Sequence, residues 1–122
     1  MTPSETIVDS LLDILELIER IERQTRDLSR DDFVADPDSL DATAYRILAI
    51  GESSKDLDEA FKARHPEVLW KQVLAMRNLL AHEYFIRESE IIWETVKAEL
   101  PDLAQACRGE LAQLSWVDQP RG

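Results

Sequence analysis

Apolar side chains recur at Ile7, Leu11, Ile14, Ile18 and Ile21, in steps of three and four residues, with Leu12 and Leu15 widening the stripe and charged residues filling the other side. That is the period of an amphipathic helix. Thr2 is placed to cap it, Pro3 suits the first helical position, and Glu5 stands where the acid of a capping box belongs. The spacing predicts a helix over residues 3–28. A polar, acidic connector follows over 29–37, with Phe33 and Val34 as a small apolar anchor. Asp36-Pro37 is a helix-start signal. It introduces a second helix over 39–64, whose core face reads Leu40, Ala44, Ile47, Leu48, Gly51, Leu57 and Phe61. A glycine inside a helix costs about 1 kcal/mol relative to alanine, and close approach of another helix best explains Gly51.

His65-Pro66 breaks the pattern, and a third helix is expected over 66–81, with Leu69, Val73, Met76 and Leu80 inward. Residues 83–88 form a connector holding Tyr84 and Phe85. Ser89 can cap a fourth helix carrying Ile91, Ile92, Thr95 and Val96, which Pro101 kinks or restarts. Leu103, Ala106, Leu111 and Leu114 continue it to a short tail after about residue 116. The pattern describes an all-α chain, a bundle of four to five helices in one domain over residues 1–122.

Composition supports this reading. Only 3 Gly and 5 Pro interrupt 122 residues, and 44% of the residues are hydrophobic, enough for a real core. The single cysteine, Cys107, cannot pair within the chain, so a reducing compartment and a buried, small side chain are expected. The N-terminal residues lack the positive region and apolar run of a secretion signal, and no apolar stretch is long enough to span a bilayer. A cytoplasmic protein with no membrane contact is expected.

The formal net charge of −11 argues against broad electrostatic binding of nucleic acid. The charge is uneven, however. Residues 46–77 hold six basic and five acidic side chains, a balance of +1 that leaves −12 on the rest. An anionic ligand would therefore sit on this middle third.

A Gly-rich phosphate loop, a paired-cysteine motif and a His-Glu-x-x-His run are all missing. With 2 His and one Cys, neither a dedicated metal site nor a cofactor is expected. The chemically pointed stretch is Arg77-Asn78-Leu79-Leu80-Ala81-His82-Glu83-Tyr84. Asn78 and His82 are four apart, so on a helix they share a face and Asn78 could orient the imidazole. Arg77 and His82 are about 140° apart around a helix and roughly 7.5 Å apart along it. They could flank one phosphate in a groove, most readily one made with a second copy of the same helix. Arginine and histidine without metal ligands suit cleavage of RNA by its own 2′-hydroxyl, with His82 as acid or base and Arg77 holding the developing charge.

The run Arg77-Asn78-x-x-x-His82-x-Tyr84 resembles the R-x4-H-x-Y motif of HepT toxins, within the wider HEPN ribonuclease group. Ile47-Leu48-Ala49-Ile50-Gly51-Glu52 is similar to that family's helix ending in I-G-E-A. His65-Pro66-Glu67, Trp70 and Met76-Arg77-Asn78 resemble its H-P-E…W…M-R-N run. Glu90 to Val96 resembles its L-E-I-V-W-E-T-V, and Leu100-Pro101-Asp102-Leu103 its D-L-P-E-L. The resemblance implies a HEPN-type helical bundle, a homodimer with paired Arg-His sites at its cleft, and metal-independent RNA cleavage. It also implies a neighbouring nucleotidyltransferase antitoxin of the MntA type, which silences the toxin by adding AMP to the motif tyrosine, here Tyr84. The sequence departs from the family at Glu83, often Gly there, which sets a carboxylate beside His82, and at Ser53-Ser54, where Ala is commoner. Glu52 could be a polar residue facing the cleft, or a helix-surface acid pairing with Lys55. Glu83 and the −11 charge favour a rival reading, a non-catalytic dimeric adaptor that binds a nucleotide or the transferase. A plain structural dimer would leave the motif unexplained.

Overall fold

The computed structural model describes residues 3–68 and 89–118. Within them every regular element is helical, and no strand is found among the described residues. The first helix, α1, runs Pro3–Thr25. Leu11, Ile14, Ile18 and Ile21 are completely or almost completely buried along it, as their three-four spacing predicts. Each such side chain contributes roughly 1.5–3 kcal/mol by leaving water. The stripe ends at Thr25, whose buried hydroxyl donates to the Ile21 carbonyl at 2.8 Å. The helix stops there, three residues short of the expected end.

The connector expected over 29–37 contains a helical turn of its own, α2, Arg30–Val34. Ser29 caps it by accepting from the Asp32 N–H at 3.1 Å, and Asp31 and Asp32 lie where the helix dipole favours acids. The turn delivers Phe33 to the core as an anchor.

The next helix, α3, spans Pro37–Ser54. Asp36 caps it, accepting from the Asp38 N–H at 3.2 Å and the Ser39 hydroxyl at 2.6 Å, with Pro37 in the first turn. Leu40, Ala44, Ile47 and Ile50 face the core, and Gly51 is buried. The predicted single helix over 39–64 is two helices. The chain turns over 55–58, where the N–H groups of Asp56 and Leu57 donate to Ser53 and Ser54. It restarts as α4, Glu59–Arg64, capped by Asp58, which accepts from the Phe61 N–H at 2.7 Å. The Ser10 hydroxyl donates to Asp56 at 3.1 Å and ties this turn to α1.

The C-terminal helices are α5, Ser89–Glu94, and α6, Leu100–Asp118, joined by a π-helical turn over Thr95–Glu99. Pro101 was expected to kink or restart the helix; the structure carries the helix through it. A proline ring presses on the carbonyl four residues back, here Lys97, and cannot donate to it. The widened turn contains Lys97 and absorbs the conflict. It also suits Ile92, Val96 and Leu100, all buried and spaced by four rather than 3.6 residues.

Helix α1 packs against α3 and α6, while α2 packs against α3 and α5. Arg46 of α3 donates to Gln24 of α1 at 2.6 Å, and Arg30 of α2 pairs with Glu90 of α5 at 3.0 Å. Cys107 is wholly buried on α6, as expected, and burial pushes its thiol up to about 12. Among the described residues no helix is long and apolar enough to cross a membrane. The helix expected over 66–81 lies outside the described residues beyond Val68.

Candidate functional site

Arg77, Asn78, His82, Glu83 and Tyr84 lie outside the described residues. The structure does describe how the chain leaves for that segment and how it returns. It departs from Val68, buried in the core, whose N–H donates to the His65 carbonyl at 3.2 Å. It comes back at Ser89, with Ile92 fully buried one turn later.

Glu52, also singled out from the sequence, sits near the C-terminal end of α3. Its side chain is about half exposed and pairs with Lys55 at 3.3 Å, one turn on, which matches the surface pairing weighed for it. Tyr45 lies two turns earlier on the same helix and is 70% exposed.

Just before the departure point is a cluster that sequence reasoning did not assemble. Glu110 of α6 is 8% exposed and uses both carboxylate oxygens. Arg64 grips it in a two-pronged bridge, Nε to Oε1 at 2.8 Å and Nη2 to Oε2 at 3.0 Å. The Nε2 of His65 lies 3.0 Å from Oε1 of the same carboxylate, and its Nδ1 lies 3.2 Å from Glu67. Two ring nitrogens can both donate only when the imidazole carries both protons. The ring also leans on Phe61, centroid to centroid 4.9 Å. The Arg64 hydrogen bond, aided by His65, holds the Glu110 carboxyl below the usual range against the opposing effect of burial, and the same contact raises Arg64. His65-Pro66-Glu67 was visible in sequence as a chain break and a family run. Glu110, some 45 residues on, carried no local signal.

The described residues also shape an open cavity of about 310 Å³ between α1 and the π-helical turn, lined by Glu22, Thr25, Arg26, Val96, Lys97 and Pro101. Lys97 lies 4.6 Å over the Trp93 ring. Val96 and Pro101, read from the sequence as helix positions, line it, and Glu52 does not.

The described residues, whose regular elements are all helical, are consistent with an all-α bundle of the HEPN type. A family profile described as "Ribonuclease HepT-like" matches residues 14–109, and the chain belongs to that family. The chain is 40% identical over 95 residues to a "Probable ribonuclease HepT" of Thermococcus cleftensis, covering 78% of this chain and 86% of the relative. A protein of Caldanaerobacter subterraneus subsp. tengcongensis named a "Putative RNase" is 41% identical over 87 residues, 71% of this chain and 74% of its own. Another of that name, from Methanocaldococcus jannaschii, is 29% identical over 117 residues, 96% and 97% of the two chains. No solved structure matches the chain.

Proposed function

We propose that this chain is the toxin of a type VII toxin–antitoxin pair, a cytoplasmic endoribonuclease that cleaves RNA without a metal ion. The observation that carries the reading is the family match over residues 14–109, which encloses the whole Arg77-to-Tyr84 run. His82 takes the proton of a ribose 2′-hydroxyl, which then attacks the adjacent phosphorus. Arg77 offers its planar fork to the charge gathering on the phosphoryl oxygens, and Asn78 holds the imidazole. The 5′-oxygen of the next nucleotide leaves, taking up a proton. RNA supplies the nucleophile, so no catalytic serine is needed.

Two copies of the chain would bring paired Arg77 and His82 residues to one cleft. Tyr45 and Glu52, on one outward side of α3, give that second copy a surface to meet. A nucleotidyltransferase of the MntA type silences the enzyme by adding AMP to Tyr84. The added phosphate charge and adenosine would oppose RNA by repulsion and by bulk.

The test is incubation of the purified chain with RNA in EDTA. Cleavage should persist, and Arg77→Ala or His82→Ala should lower its rate by roughly a hundredfold or more. Loss of cleavage in EDTA, or full activity in the double variant, would overturn the mechanism. Glu83, a carboxylate beside His82, favours the second reading, a dimeric adaptor for a nucleotide or the transferase. An inert parent chain that still binds the transferase would select it.

A further inference from the structure

We propose that Arg64, His65 and Glu110 form a clamp that fixes where the chain sets out toward Arg77, Asn78 and His82, and that His65 and Glu110 are positioning residues for RNA cleavage. The positioning role rests on the ribonuclease reading; the clamp itself does not.

The geometry is that of a fastening rather than of a surface ion pair. One nearly buried carboxylate receives three bonds of 2.8 to 3.0 Å from two successive residues. A paired, bidentate arginine resists sliding in a way that a single contact does not. His65 is held from its other ring nitrogen by Glu67 and from its face by Phe61. Between them Pro66 has its φ fixed by its ring. The Val68 N–H then closes the turn on the His65 carbonyl, with the Val68 side chain in the core. The backbone from Arg64 to Val68 is therefore referred to α6, and α6 itself packs on α1, with Leu103 and Cys107 buried along it.

That fastening ends at Val68, nine residues before Arg77. Groups that stabilise a transition state must be held in place before it forms, and an error of about 1 Å can cost on the order of a hundredfold in rate. A carboxylate, an arginine and a histidine brought together from positions some 45 residues apart at this spot are a costly way to close an ordinary turn, because a nearly buried charge must be fully paired. They make sense as a datum from which the following segment is measured.

The experiment compares the parent with Glu110→Gln and His65→Gln, using Ser10→Ala as a control that removes a different side-chain tie, the one to Asp56. Each variant is checked by circular dichroism. The Val68 amide should exchange its hydrogen at least about tenfold faster in both clamp variants, while Ile18 and Ile47 exchange as in the parent. With RNA as substrate, kcat should fall by up to about a hundredfold with KM little changed, and Ser10→Ala should keep the parent kcat. Parent-like Val68 exchange in the clamp variants would overturn the clamp. An equal fall in kcat for Ser10→Ala, or a rise in KM alone, would overturn the positioning role. If Glu110→Gln does not fold, His65→Gln decides both questions, because its side chain is less deeply placed. If the parent itself cuts no RNA, the ribonuclease reading and the positioning role fall together, while Val68 exchange still decides the clamp.

Discussion

The rings of Phe33 and Trp93 meet at 5.2 Å between centroids and a 40° tilt. Through this contact the five-residue helix α2 is locked to α5, 60 residues further along the chain. A helix this short has no stability of its own. It exists because Ser29 caps it and because Phe33 is fully buried. Phe33→Ala should therefore cost about 3–5 kcal/mol, a large share of the stability of a domain this size. Denaturant titration measures it, and a loss below about 1 kcal/mol would mean that α2 is held in some other way.

Acid should loosen the join between α4 and α6. The Glu110 carboxyl is held below its ordinary value by Arg64 and His65. A depressed carboxylate contributes stability above its unfolded-state value, about 4.3, and that contribution is lost as pH falls through the folded value. Asp36, lowered by its Ser39 hydrogen bond, acts with the same sign. Glu99, raised by burial and by Asp102, acts with the opposite sign. Unfolding midpoints of the parent should drop below about pH 4.3 more steeply than those of Glu110→Gln. Parallel curves would show that the clamp contributes nothing to the acid limb.

Cys107 should be silent in the folded protein. It is wholly buried, and its thiol is pushed up to about 12, so almost no thiolate exists near neutral pH. A thiol reagent at pH 8 should label it only at the rate of unfolding. Rapid labelling of native protein would show that α6 opens locally.

Co-expression with a neighbouring nucleotidyltransferase should place one AMP on Tyr84, read by intact and peptide mass measurement. Tyr84→Phe should escape both the modification and the silencing. A neutralised enzyme with an unmodified Tyr84 would replace covalent control by simple complex formation.

The α1 stripe was readable because Leu11, Ile14, Ile18 and Ile21 bury one narrow face, and the start of α3 because Asp36 and Pro37 are both punctuation and structure. The break over 55–58 was hidden by its own packing. Leu57 and Phe61 are both buried, so they continue the apolar stripe of α3 across a turn that contains neither glycine nor proline. The cap at Asp58 was the available sign of it. Pro101 misled in the other direction, since a widened turn absorbed what would otherwise have kinked a helix. At the site, the Arg77-to-Tyr84 run is local and was legible as a string. Glu110 was not, because a partner some 45 residues away has no expression in spacing.

The π-helical turn over Thr95–Glu99 has a consequence for insertions and deletions. Such a turn stores roughly one residue more than a regular helix needs to cover the same rise. A single deletion inside it would keep Leu103, Cys107 and Glu110 on the side they now occupy, at the cost of setting the Pro101 ring back against a regular turn, about 3 kcal/mol. The same deletion between Leu103 and Glu110 would swing the carboxylate by about 100° away from Arg64 and His65. A change of length thus preserves the register of the C-terminal helix in one place and destroys it a turn or two later.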